Sequence, residues 1–566
     1  MTIFTECAVR LPALAAVFSL LAACTQSEPP ATTAPVNDLD RLRSQVEAEL
    51  HTHTQVLAAD EFGGRGPGTP GEELTVNYLV EQFQALGLEP GNGDSWVQDV
   101  PITAVTTDPS ATLAIQGTDF ERELAYAEEM VVFTQRQVES VSVEDAGLVF
   151  VGYGISAPER GWDDFGDMDV TGKTVVILIN DPGYATQDSS VFNGNTMTYY
   201  GRWTYKYEEA ARRGAAAAII IHETLPAAYG WDVVRNSWSG PQIGLTAANQ
   251  NMDRVAAEGW VTESVARELF AAAGEDFDVL KAAAASPDFQ AVPLGDLTLS
   301  TELSNTLSNA QSRNVMARLP GTEYPEEHIV YSAHWDHLGT REGEGDQIYN
   351  GASDNASGVA ALLALAKLHM EEGAPPRSLL FLAVTAEEAG LLGAKWYVEN
   401  PPHALETTVA NLNMDNIYGG VDGRTRDVAV VGFGNSELET WLQAAADKQG
   451  RVLVQEPNPE KGYYYRSDHF NFARHGVPAL YLTRGVDSFE HGSEWGQQQL
   501  DNYVANDYHK PSDEYSADWD LSGAADNVAL FFDIANDLAA GRDWPNWNAG
   551  TEFKSTRDES SAARAP

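Results

Sequence analysis

The 566-residue sequence predicts an α/β protein: a mixed, mostly parallel sheet flanked by helices and interrupted by a β-rich insert. Three observations carry this. From Arg313 onward, short apolar runs and helical stretches alternate in the rhythm strand, loop, helix. Between residues 126 and 295 the texture changes to short β-like runs punctuated by glycine and acidic residues. The chain is also too long for one core, because domains cluster near ~100–200 residues.

Taken in order, the chain begins with Arg10 ahead of an apolar run from Leu11 to Ala23. That run is too short for a mature bilayer span and reads as a secretory signal over residues 1–23. Its end, Leu21-Ala22-Ala23-Cys24, is similar to the cleavage box of bacterial lipoproteins, in which the cysteine becomes a lipidated first residue; a plain signal peptide that happens to hold a cysteine has the same look. Residues 24–37, with prolines and Ser/Thr, read as a tether. The expected location is the bacterial cell envelope, exported, with membrane contact only through Cys24. A turn-rich loop, Leu57–Gly71, precedes a predicted helix in which Val76, Leu79, Val80, Phe83 and Leu86 recur at the 3.6 period and Gly87 supplies the stop. Residues 38–125 form the first part of the main domain.

In the insert, 126–295, Gly147–Val151 and Val175–Ile179 read as strands and Tyr207–Gly214 as a helix. The second part of the main domain, 296–545, supplies strands at Ile329–Ala333, Leu379–Thr385, Val409–Asn413, Val428–Val431, Val452–Val454 and Ala479–Leu482. Its helices are Val359–Leu368, Ser436–Lys448 and Ala524–Leu538. Residues 546–566 are polar and read as a loose tail.

Composition narrows the function. With 83 Asp+Glu against 35 Lys+Arg, the net charge of −48 repels phosphate backbones, so nucleic acid is excluded as a partner. There is no cysteine after Cys24, so no internal disulfide can form in the exported chain.

Ligands of open α/β sheets bind beyond the carboxyl ends of the strands, and chemistry-bearing residues gather there repeatedly. His334 and Asp336 follow the strand ending at Ala333. Glu387 and Glu388 follow Thr385, and Asp415 follows Asn413. Asp354 lies in the turn-rich segment before the helix at Val359, and His509 in the late loop 506–513. Singly these are ordinary: an Asp before a helix is usually an N-cap, and a Glu pair is usually a solvated helix start. Together they make a nitrogen-and-oxygen donor set, without thiolates, of the kind that suits zinc.

These residues carry a resemblance. His334-Trp335-Asp336-His337-Leu338-Gly339, Asn350-Gly351-Ala352-Ser353-Asp354-Asn355, Thr385-Ala386-Glu387-Glu388, Asn413-Met414-Asp415, Ser467-Asp468-His469 and His509-Lys510-Pro511-Ser512-Asp513 occur in that order. With the glycine-rich loop near Arg65, they resemble the di-zinc aminopeptidases and glutamate-carboxypeptidase-like enzymes of the bacterial leucyl aminopeptidase type. The implied fold is that of the zinc exopeptidases, and the insert resembles a protease-associated domain through Val149-Phe150-Val151-Gly152-Tyr153-Gly154. The resemblance implies two zinc ions per chain, with cobalt or manganese as alternatives. Asp354 would bridge them, His334 and Asp415 completing one site and Glu388 and His509 the other. It further implies Glu387 as general base, Asp336 as the carboxylate that orients His334, and a cis peptide after Asp354. A tyrosine among Tyr463, Tyr464, Tyr465 and Tyr508 is a candidate donor to the oxyanion. The implied reaction is hydrolysis of N-terminal residues from peptides. A carboxypeptidase or dipeptidase on the same fold, and an inactive binding protein, are the alternatives.

Overall fold

A computed structural model of the chain describes residues 38–564. The expected signal peptide, Cys24 and the tether lie outside them. The chain divides into two units, residues 1–41 and 42–566. Of the first, only the opening turn of the helix Asp38–Leu57 is described.

The second unit is built on a nine-strand layer. Across it run the strands Val452–Gln455, Asp427–Val431, Ala479–Arg484, Thr408–Asn413, Tyr324–His334, Arg377–Val384, Val292–Leu319, Val97–Thr107 and Gln242–Leu245. The four strands from Ala479–Arg484 to Arg377–Val384 are mutually parallel. The strands beyond them run antiparallel to their inner neighbours, except the terminal parallel pair 427–431 and 452–455. The sheet is therefore mixed and mostly parallel at its centre, as the sequence predicts.

Both faces are covered, which explains why the central strands read as continuous apolar runs. Side chains alternate by two. Ile329, Tyr331, Leu379 and Phe381 join one core with the helices Pro70–Leu86, Ser357–Glu372 and Ser522–Ala540. Val330, Leu380 and Leu382 join another with Tyr397, Phe472 and Trp547. The helix Pro70–Leu86 starts where sequence signals place it. Thr69 accepts from Gly71 N, Pro70 needs no donor there, and Gly87 ends the helix at φ +84°.

A second sheet carries the insert. Its order is 120–124, 113–117, the first half of 292–319, 140–150, 174–178, 217–222, 257–262 and 130–133. It also buries both faces, with Ile219 and Ile221 on one and Ala218 and Ile220 on the other. The 28-residue strand Val292–Leu319 passes from this sheet into the main one.

Two expectations change. The second core takes in residues from Ala111 to Leu303, wider than 126–295, while the strand Gln242–Leu245 returns to the main sheet. The hairpin 113–124 escapes a composition-based boundary because its strands are half exposed and mix polar with apolar residues. The end of the chain is no loose tail. Trp547 is buried and donates to Gly476 O at 3.1 Å, and the buried Arg557 donates to Thr408 O and Val409 O. A few anchors suffice to dock a segment whose remaining residues are polar.

Among the described residues, no helix is long and apolar enough to cross a membrane.

Candidate active site

The site lies at the carboxyl ends of the central parallel strands. His334 is the last residue of Tyr324–His334, Glu387 and Glu388 lie just past Val384, and Asp415 just past Asn413. Adjacent residues of a regular strand point to opposite faces, so two neighbouring glutamates can converge only once the strand has ended. It ends at Val384, and Ala386 turns the backbone at φ +52°.

Asp354 sits at the centre of the contacts. Its Oδ1 is 3.2 Å from His334 Nε2 and its Oδ2 is 3.2 Å from His509 Nε2. Asp415 Oδ1 stands 3.3 Å from His334 Nε2, and Glu388 Oε2 stands 3.2 Å from His509 Nε2. His334, Asp354 and Glu388 offer ligand atoms within 4.8 Å of one another, and so do His334, Glu387 and Asp415. The peptide Asp354-Asn355 is cis.

Neighbouring groups fix these side chains. Asp513 accepts from Ser353 N at 3.0 Å and from Asp354 N at 3.1 Å, which sets the Asp354 backbone. Asn355 accepts from Asn416 N and Gly358 N and donates to Met414 O, tying the Asp354 turn to the Asp415 loop. Ser467 donates to Asp415 Oδ2 at 2.6 Å and accepts from Asn413 Nδ2. His337, which stands in the sequence motif without a role, places Nδ1 2.6 Å from Glu388 Oε1 and thereby orients it.

Asp336 departs from expectation. Its carboxylate lies 3.8 Å from His334 Nδ1, beyond hydrogen-bond reach, and that nitrogen instead faces the Asp336 backbone carbonyl at 3.1 Å. The carboxylate accepts from the backbone N–H groups of Glu387, at 3.0 Å, and Glu388, at 3.3 Å. The strand turns directly after His334, so its carbonyl is better aimed at the imidazole than its side chain. Asp336 thus holds the Glu387-Glu388 turn.

Arg65 was missed as well. Its buried guanidinium donates to Leu57 O, Trp335 O, Asn350 O and Gly351 O, joining the glycine-rich loop to the segments that carry His334 and Asp354. Gly351 itself allows the Asp354 turn and the His337 ring to close on this backbone. It stands at φ +53°, and a Cβ there would meet Asp354 O at 2.3 Å.

Electrostatics show what the cluster favours. Burial opposes charge on His334, yet Glu387, Asp354 and Asp415 push its pKa well above the ordinary range. Burial likewise opposes charge on His509, but Glu388 and Asp354 raise it to about 9. Burial, then the Asp415, Glu388 and Asp468 carboxylates, hold Glu387 well above the usual carboxylate range. Asp468 is wholly buried, both oxygens lack a hydrogen-bond partner, and burial raises its pKa strongly. So many converging carboxylates favour positive charge among them, and a divalent cation held by neutral imidazoles would supply it. The donor set of two imidazoles and carboxylates fits zinc or another ion of borderline softness.

A cavity of about 1670 Å³ opens onto the cluster. Asp336, Asp354, Glu387, Glu388, Asp415 and His509 line it, as do Tyr463, Tyr465 and Tyr508. Of the candidate tyrosines, Tyr464 is buried against His469 and Phe553, and Tyr465 donates to Glu552. Tyr508 stacks on His509 at 3.9 Å.

Comparison with known proteins bears on this segment. Residues 314–532 match peptidase family M28. All seven candidate site residues lie within the M28 segment. A glutamate carboxypeptidase 2 homolog of Caenorhabditis elegans is 29% identical over 252 residues, covering 37% of this chain and 30% of that protein. A probable leucine aminopeptidase 2 of Aspergillus oryzae is 27% identical over 236 residues, covering 39% of this chain and 43% of that protein. The chain thus spans less than half the length of these curated relatives. Among solved structures, an aminopeptidase from Aneurinibacillus sp. strain AM-1 aligns over 88% of this chain and 96% of its own, at 23% identity and a TM-score of 0.48. A zinc aminopeptidase from Bacillus subtilis aligns over 90% and 97%, at 17% identity and a TM-score of 0.40.

Proposed function

We propose that the chain is a metallopeptidase that removes N-terminal residues from peptides, with two divalent ions, zinc in the first instance. His334 and Asp415 would hold one ion, Glu388 and His509 the other, and Asp354 both. The observation that carries this reading is the division of Asp354, one oxygen toward His334 and one toward His509. The match of residues 314–532 to peptidase family M28 supports it.

When bound, zinc would lower the pKa of water to about 7 and polarise the scissile carbonyl. The chain's own groups do the rest. Glu387 lies beside His334 and Asp415 and takes the proton of the attacking water, then returns it to the leaving amine, a shuttle worth ~10²–10⁴-fold. Asp336 holds the backbone of Glu387 and so fixes where that proton is received. The converging carboxylates attract the substrate's α-amine, and Tyr508, which lines the cavity and stacks on His509, would donate to the developing oxyanion. We read the insert as a protease-associated module and the whole as an exported protein anchored through a lipidated Cys24.

The test is a substrate panel on the metal-loaded protein: amino-acid nitroanilides beside N-blocked peptides. Release from nitroanilides with free amines is expected. Cleavage confined to the C-terminus of blocked peptides would replace the aminopeptidase reading with a carboxypeptidase.

A further inference from the structure

The loops that carry Asp354, Asp415 and His509 are joined by residues that are not themselves candidate ligands. Ser353 stands directly before Asp354, Asn416 directly after Asp415, and Tyr503 and Asp513 on either side of His509. Tyr503 lies on the helix Ser493–Asn506, and its carbonyl accepts from Asp507 N at 2.8 Å and Tyr508 N at 3.0 Å. The chain then runs through His509 to Asp513, whose N–H donates to Lys510 O at 3.1 Å. His509 is thus held between two residues whose side chains meet.

The four side chains form a closed ring. Ser353 Oγ donates to Asn416 Oδ1 at 2.6 Å, Asn416 Nδ2 to the Tyr503 hydroxyl at 3.2 Å, and that hydroxyl to Asp513 Oδ2 at 3.4 Å. The Asp513 carboxylate closes the ring by accepting from Ser353 N and Asp354 N. Gly419 N donates to both Ser353 Oγ and Asn416 Oδ1, which brings in the rest of the Asp415 loop. The proton directions agree all the way round. An amide offers an acceptor oxygen and a donor nitrogen, a phenol one proton, and an ionised carboxylate acceptors alone. Ser353, Tyr503 and Asp513 are buried, where such a chain of bonds is strengthened by low polarity and mutual polarisation.

The ring adds a link to those already described. Asn355 joins the Asp354 turn to the Asp415 loop, and Asp513 joins that turn to the His509 loop. Through the Tyr503 hydroxyl the Asp415 loop meets the His509 loop directly. In the two-ion reading, on which this inference rests, those loops carry ligands of different ions. Ordering one loop then orders the other, so the cost of ordering both falls on binding of the first ion and the second finds its ligands in place.

We propose that Tyr503 is a positioning residue that couples the two ion sites, so that filling one favours filling the other. It acts through Asn416 on the Asp415 loop and through Asp513 on the Asp354 turn and the His509 loop.

The test is a titration of the metal-free full chain with Co2+, read by the visible absorption of the bound ion, for the wild type, Tyr503→Phe, Ser353→Ala and the double variant. Tyr503→Phe keeps the buried aromatic ring and removes both of its hydroxyl's bonds. In this variant the second equivalent is expected to bind about tenfold more weakly than in the wild type, an ordinary size for coupling between sites, while the first binds no more weakly. Ser353→Ala, which opens the same ring elsewhere, is expected to shift the second equivalent likewise, and the double variant to shift it no further than either replacement alone. Equal weakening of both equivalents would reveal general loosening of the fold and overturn the proposal. Unchanged titrations, or shifts that simply add in the double variant, would overturn it too. Fewer than two equivalents bound by the wild type would instead contradict the two-ion reading itself.

Discussion

Asp336 shows how much a residue's neighbourhood decides beyond its spacing. A carboxylate two positions after His334 suggests a partner for the imidazole, but the turn after the strand gives that contact to the backbone carbonyl. Five of the seven candidate residues, His334, Asp336, Glu387, Glu388 and Asp415, were legible because each lies at or just past a strand end, where position along the chain predicts position in space. Asp354 instead lies in the turn before the helix Ser357–Glu372, and His509 follows the helix Ser493–Asn506. The contacts of Arg65 and His337 were not legible, because they depend on loop conformations that no local pattern specifies. Asp468, buried with both oxygens unpartnered, was legible as a motif member and not as an orphaned carboxylate. At this scale Glu387→Ala is the decisive replacement. The protein should keep its metal and lose ~10²–10⁴-fold in kcat, measured on an amino-acid nitroanilide with metal content checked in parallel. Retained turnover would remove Glu387 from its role.

At the scale of elements, the central strands and their covering helices were readable because continuous apolar runs and 3.6-period stretches have few other solutions. The insert boundary failed at the hairpin 113–124, whose half-exposed strands resemble the surface of either domain. The short 3-10 helix Asp60–Arg65 ties segments of the site together through Arg65. Arg65 satisfies four carbonyls from three segments, and removing a buried hydrogen-bonding partner costs about 1–3 kcal/mol per group left unpaired. Arg65→Met, of similar length, should therefore destabilise the protein by at least ~2 kcal/mol in denaturant unfolding. It should also lower kcat/KM, because the Asp354 turn loses its anchor. Unchanged stability with unchanged kinetics would mean that the loop is held by other contacts.

For the whole molecule, the charge of −48 and the site tell opposite stories that fit together. The chain is strongly acidic overall, while inside the cavity the acids converge on one point and arginines line another part of the wall. Packing also extends further than composition suggested, since Trp547 and Arg557 bind the end of the chain to the back of the sheet. The central claim is that Asp354 holds two ions at once. Its most direct test is the metal content per chain, by inductively coupled plasma mass spectrometry after purification and exhaustive dialysis against excess zinc followed by buffer. The account predicts about two equivalents in the wild type and well under one in Asp354→Ala. A wild-type protein that retains none, or an Asp354→Ala protein that retains both, would contradict it.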